Sequence, residues 1–322
     1  MRYTNRLGQV VLAGGLLGYG YYGLYLPWAD PRNVPNTLDP HYFRPFTLRS
    51  RRDLTHDTAL LQFDHQPTAA LPIDQPGIYS VDVKDPTMQV KRSFTPIVSR
   101  WFETNRDDNP TTPAGPNAMW TNDRLEILVK RYPLASVAQM LHRTRKGATA
   151  EIRGPFLEWA YTPNRYTHLA LIAGGTGITP MYQLIEQVLG NPEDRTHLTL
   201  VYANRTVSDV ALREQIEQLQ ARYTDRLSVQ FTVDQSPANE RTGLELAKGG
   251  PGYVFGYLTK DVLAQRLPSA RPTDKIRTMV LVSGPDAMMS AVCGERLLSG
   301  EQGPVSGILR ELGYTSEQVY KL

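Results

Sequence analysis

Apolar and polar positions change rhythm along this chain, and the change divides it. From about Phe43 to Tyr161, short runs of β-formers stand between Pro, Gly and Asp turn signals, at 59–63, 77–83, 89–94, 125–131 and 148–153. One helix-like stretch, 136–145, interrupts them. The spacing predicts a small antiparallel barrel. Residues 100–122, polar and punctuated by proline, read as a surface loop. From about Tyr166 the pattern alternates strand and helix. Strands are expected at 168–173, 197–203, 227–233 and 279–283, and helices at 180–189, 208–223 and 259–265. Such alternation predicts a Rossmann-like parallel sheet with helices on both faces.

The N-terminus follows neither rhythm. From Leu7 to Ala29 the chain runs 23 residues without a charge, between Arg6 and Asp30. As a helix it would reach about 34 Å, enough to cross a hydrocarbon core. Tyr19, Tyr21, Tyr22, Tyr25 and Trp28 crowd its second half, as an interfacial belt would. Residues 7–29 are therefore expected to be a transmembrane helix in contact with the bilayer. The expected organisation is an anchor at 1–30, a proline-rich linker at 31–42, a barrel at 43–162 and an α/β domain at 163–322.

Composition removes several chemistries. Cys293 is the one cysteine, so a disulfide within the chain and the zinc and iron–sulfur readings fall away. No metal site is expected. A formal net charge of +3, without a basic patch interleaved with aromatics, gives no case for nucleic acid. The histidines are scattered, and no acid–base pair stands out. Redox chemistry here would rest on a bound organic cofactor.

The sharpest local signal is the apolar run from Leu169 into Gly174, Gly175, Thr176 and Gly177, with Thr179 and Pro180 opening a helix. Glycines let the backbone approach a phosphate without a Cβ in the way. The helix start supplies free N–H groups and a positive dipole end, and Pro180 suits the first turn. This string predicts a dinucleotide diphosphate site. Asn204 and Arg205 close the next strand, where the ribose is often read. Arg205 favours a 2′-phosphate, whereas Asp234 at the end of the following strand repels one. NADH is expected over NADPH.

The glycine string, together with Arg92, Phe94, Thr95 and Pro96, resembles the cytochrome b5 reductase branch of the ferredoxin reductase-like flavoenzymes. That resemblance covers about 43–322. It implies an FAD-binding barrel followed by a nicotinamide domain. By the family's R-x-Y-T-P segment, Arg92 would pair with an FAD phosphate and Thr95 would bond near the flavin ring; the family tyrosine is Phe94 here. Lys130 and Tyr132 match a K-x-Y segment that lines the flavin and its ribityl chain. The family's pyrophosphate motif falls on the start of the expected helix, where the backbone of Ser136, Val137 and Ala138 would cradle phosphate. Its glycine has become Ala135 and its serine Ala138. The family's C-G-P-x-x-M reads Ser283, Gly284, Pro285 and Met288, so a hydroxyl replaces the thiol.

By the same resemblance, Thr95, Thr179 and Ser283 would shape the place where hydride passes. The chain's ending, from Gln302 to Leu322, is similar to fungal mitochondrial inner-membrane flavoproteins associated with cytochrome c haem lyase. That likeness implies electron delivery to a haem protein or to a haem lyase, in support of haem attachment. Two rivals stand beside it: an NADH–cytochrome b5 reductase on the endoplasmic reticulum or mitochondrial outer membrane, and a flavin-fold scaffold with weakened catalysis.

Overall fold

The computed structural model describes residues 2–4, 10–12, 36–66, 73, 75–98, 123–234, 252–271, 277–297 and 299–322. Near the N-terminus, β1 (Arg2–Thr4) and β2 (Val10–Leu12) pair as antiparallel strands. This corrects the expected helix where it can be compared, because Val10–Leu12 lies inside 7–29. The rest of that stretch, residues 31–35 of the linker and all of the 100–122 loop lie outside the described residues. No helix among the described residues is long and apolar enough to cross a membrane.

Seven strands make the first sheet: β3 (Arg44–Asp53), β4 (Thr58–Asp64), β5 (Gly77–Asp85), β6 (Val90–Phe94), β7 (Pro96–Ile97), β8 (Arg124–Lys130) and β9 (Thr149–Ala160). Their order is β6-β5-β9-β3-β4-β8-β7, all antiparallel. The two edge strands, β6 and β7, are separated only by Thr95. The chain itself therefore draws the edges together and curls the sheet towards a barrel. Alternation sets the two faces. Leu125, Ile127 and Val129 of β8 point into the barrel core with Phe46, Phe63, Val81 and Val83. Leu128 and Lys130 point the other way.

The second sheet is parallel. Its strands are β10 (His168–Gly174), β11 (His197–Asn204), β12 (Leu227–Val233), β13 (Tyr253–Phe255), β14 (Thr278–Ser283) and β15 (Val319–Lys321), in the order β13-β12-β11-β10-β14-β15. Leu169, Leu171 and Ala173 pack on one face, Ala170 and Ile172 on the other, so both faces are covered. The first apolar cluster also takes in Leu60, Ile78, Ile97, Leu128 and Trp159 from the barrel sheet. One continuous core thus joins the two sheets.

The expected helix at 208–223 is broken. Val207–Asp209 is a single 3₁₀ turn, Leu212 takes a left-handed φ of 58°, and the α-helix spans Arg213–Arg222. The break falls at Leu212, whose left-handed backbone cannot continue a right-handed helix; before it, the Asp209 carboxylate accepts from the Thr206 amide at 3.0 Å and hydroxyl at 2.7 Å and closes a capping box on the short turn. Long β3 and short β7, β13 and β15 were not anticipated, nor were the helices Asp286–Val292 and Gly307–Glu311.

Candidate active site

In the parallel sheet the chain leaves β10 towards β11, β12 and β13, then returns to place β14 on the other side of β10. The carboxyl ends of β10 and β14 therefore flank a topological switch point, where ligands bind in open α/β sheets. There Ala173 lies beside Ser283. Gly175–Gly177 form one 3₁₀ turn, and the helix Ile178–Gly190 starts directly after it.

The glycines fit this crossing because their backbones touch. A Cβ on Gly174 would lie 2.6 Å from the Met288 sulfur and 2.9 Å from Pro285, and one on Gly177 would overlap the Ser283 carbonyl. Gly175 is different: φ is +53° and a Cβ would meet nothing. Open space in front of a bare backbone turn is a cradle for a diphosphate. Met288 packs against Gly174 and Gly284 and backs the cradle.

The cleft in front has a volume of about 680 Å³. Arg92, Phe94, Thr95, Lys130, Tyr132 and Ala138 line it from the barrel, and Thr176, Gly177, Thr179, Pro180, Ser283, Gly284 and Pro285 from the parallel sheet. Two segments far apart in sequence thus face one another across it, as hydride transfer between two ring systems requires. Ser136, Val137, Pro96, Gly174, Gly175 and Met288 do not line the cleft; Val137 is buried in the barrel core. Asn204, Arg205 and Asp234 do not line it either; they sit at the carboxyl ends of β11 and β12, on the same edge of the sheet as the glycine turn. The Asp234 amide donates to the Asn204 carbonyl at 3.0 Å. Burial raises the Asp234 carboxyl above its usual range and nearby Arg205 pulls it back, so the two charges judged to read the ribose are neighbours.

Several groups explain how the barrel side is held. Buried Asp82 accepts from Lys91 at 2.7 Å, Ser93 at 2.8 Å and Arg153 at 2.9 Å, which fixes the β5–β6 hairpin that carries Arg92. Among the described residues Arg92 has no ion-pair partner, which leaves its guanidinium for an anion such as a phosphate. The helix Ser136–Arg143 has no side-chain cap at Ala135, so no capping side chain occupies its first amides. Lys130 is committed differently. Its ammonium lies 3.1 Å from Asp57 and 3.3 Å from Asp209, tying the barrel to the nucleotide half while its stem lines the cleft. His56, Asp57 and Asp209 converge as a metal site would, but the Lys130 ammonium already meets both carboxylates.

Sequence reasoning missed Ser80, Glu158, Arg296 and Leu322, which also line the cleft. Ser80 donates to Glu158 at 2.5 Å across β5 and β9. Polar residues in mid-strand were the available signal. It missed Gln183 and Gln187 as well, two amides on a helix whose neighbours are nearly all buried. Burial pushes the Cys293 thiol up to about 11 despite Lys321 nearby, so it is no thiolate near neutrality.

A curled antiparallel sheet joined to a doubly wound sheet, with a shared cleft at the switch point, defines a class: two-domain oxidoreductases that carry a flavin and a nicotinamide nucleotide. The comparisons agree. Residues 171–294 match the oxidoreductase NAD-binding domain family. NADH-cytochrome b5 reductase 2 of Mycosarcoma maydis is 32% identical over 98% of this chain and 89% of its own length. An NADH-cytochrome b5 reductase-like protein of Arabidopsis thaliana is 33% identical over 94% and 86%. The chain covers 64% of NADH-cytochrome b5 reductase 2 of Ajellomyces capsulatus (strain NAm1 / WU24), at 40% identity. In fold it is similar to the cytochrome b5 reductase domain of Ulva prolifera nitrate reductase, with TM-score 0.65, 23% identity, and coverage of 90% of this chain and 100% of that one. The chain belongs to the NADH-cytochrome b5 reductase family. It is an NADH-dependent oxidoreductase with FAD and NADH as its cofactors.

Proposed function

We propose that this enzyme oxidises NADH at the cleft and passes the electrons singly to a haem acceptor, in support of haem attachment to cytochrome c at the mitochondrial inner membrane. One observation carries the chemistry: Arg92, Phe94 and Thr95 face Thr176, Gly177, Thr179 and Ser283 across a single cleft. Bound FAD would supply hydride acceptance from NADH and release of single electrons. The chain's own residues do the rest. Arg92 and the amides of Ser136, Val137 and Ala138 would hold the FAD phosphates. The glycine turn would hold the nicotinamide nucleotide's diphosphate. Thr95, Thr179 and Ser283 would orient the two reacting rings, and Asp234 would favour an unphosphorylated ribose. The two-sheet body, at 43–162 and 163–322, would work beside the inner membrane.

The relatives' names favour a second reading, in which cytochrome b5 is the acceptor. The two separate on purified full-length enzyme. NADH oxidation would be followed with cytochrome c, a haem lyase loaded with ferric haem, and cytochrome b5 in turn. Faster turnover with either of the first two supports the haem-attachment role; a strong preference for cytochrome b5 removes it. Localising the tagged native protein to the endoplasmic reticulum or mitochondrial outer membrane would remove it too.

A further inference from the structure

The helix that begins at the glycine turn is fastened to the barrel by two side-chain amides. Gln183 accepts from the Tyr79 amide at 2.7 Å and donates to the carbonyls of Tyr79 at 3.1 Å and Pro96 at 2.9 Å. Gln187 accepts from the Gly77 amide at 2.9 Å and donates to the Gly77 carbonyl at 2.7 Å. Gln183 is 1% exposed and Gln187 8%.

The fit follows from two repeats. Positions i and i+4 of a helix rise about 6 Å, and positions i and i+2 of a strand about 6.7 Å. Residues i and i+2 of a strand also present their N–H and C=O groups to the same side. Gly77 and Tyr79 do so here, on the edge of β5 that β6 leaves uncovered, since β6 begins to pair only at Val81. Two glutamines one turn apart thus stand in for a missing strand. Gln183 does more than its neighbour. One turn before it lies Thr179, which lines the cleft, and its third bond reaches Pro96, next to Thr95 of the opposite wall.

We infer that Gln183 is a positioning residue for hydride transfer, setting through backbone bonds to Tyr79 and Pro96 how far the glycine turn stands from Thr95. The inference rests on the NADH-to-flavin reading of this cleft. Gln187, one turn further from the chemistry, holds the same interface without touching the flavin segment and serves as the internal control.

The test uses full-length holoenzyme with Gln183→Leu, Gln187→Leu and, as a second variant of matching length, Gln183→Met. Hydrogen exchange would be measured at the Tyr79 and Gly77 amides, alongside bound FAD, melting temperature and anaerobic flavin bleaching by NADH. Each leucine variant is expected to speed exchange at its own amide and to lower the melting temperature similarly. At saturating NADH, Gln183→Leu or Gln183→Met is expected to slow bleaching about tenfold or more, as misplacement on the ångström scale does, with NADH affinity and FAD content near wild type. Gln187→Leu should bleach at nearly the wild-type rate. Equal rates in all variants, or slowing that tracks only lost FAD, would overturn the inference while leaving the function intact. Failure of the wild type itself to bleach would remove both.

Discussion

The two walls of the cleft are built by different means. The nucleotide wall is backbone: Gly174, Gly177 and Gly284 crowd Met288, Pro285 and Ser283 so closely that most other residues would collide. The flavin wall is side chain: Arg92 stands on a hairpin fixed through Asp82, and Phe94, Thr95 and Lys130 project from strand ends. A wall made of backbone tolerates little change, and its residues can be read from sequence. A wall made of side chains accepts replacements more readily.

Substitutions should expose that difference, and the largest effect belongs to the backbone wall. Gly177→Ala forces a Cβ into the Ser283 carbonyl. It should destabilise the protein by about 3 kcal/mol or more, the range of forced overpacking, and abolish NADH binding. Gly175→Ala, two positions away, meets open space and should lose only about 1 kcal/mol through its positive φ. Urea denaturation of the pair measures this, and equal losses would mean the turn is not gripped at Ser283.

On the flavin wall, Arg92→Ala should weaken FAD by about 1.5–3 kcal/mol, the worth of a hydrogen bond to a charged group. FAD titration of apoprotein would detect it, with melting temperature unchanged. Tight FAD binding in the variant would show that the guanidinium faces solvent.

Lys130 joins the two walls, and its effect appears in pH dependence. Burial alone would lower the Lys130 ammonium and raise the Asp57 carboxyl; their mutual bonding prevails, so Lys130 is raised and Asp57 lowered. Asp57's contribution is therefore present above the ordinary carboxylate range and lost as pH falls through its depressed pKa. That of Lys130 is present below the ordinary lysine range and lost as pH rises through its elevated pKa. Lys130→Met should lower mid-pH stability by about 1–3 kcal/mol and flatten both limbs. A parallel downward shift with both limbs intact would assign the pH dependence to other groups.

The smallest effect is expected at Asp234. Asp234→Ser should raise NADPH use relative to NADH by about 1 kcal/mol or less, as for an exposed charge pair, seen in the ratio of kcat/KM values. No change would place the ribose away from Asp234 and Arg205.

Most of the strand rhythm was legible because burial enforces alternation, and the glycine turn was legible because Gly174 and Gly177 leave no room for a Cβ. The rest was hidden for physical reasons. Short strands such as Pro96–Ile97 carry too few residues to show a period. The break before Arg213 lies in the left-handed backbone of Leu212, a residue type that gives no warning of it. Gln183 and Gln187 look like ordinary helix residues until the uncovered edge of β5 is brought against them. Ser80 and Glu158 reach the cleft only because β5 and β9 pair.

The central claim, that one cleft brings a flavin and a nicotinamide ring together, is tested most directly by anaerobic stopped-flow reduction of the FAD-loaded full-length enzyme with NADH deuterated at C4 on one face or the other. Bleaching slowed severalfold by one label and untouched by the opposite one is the predicted result. Bleaching indifferent to both labels, or none while both cofactors are bound, would contradict it.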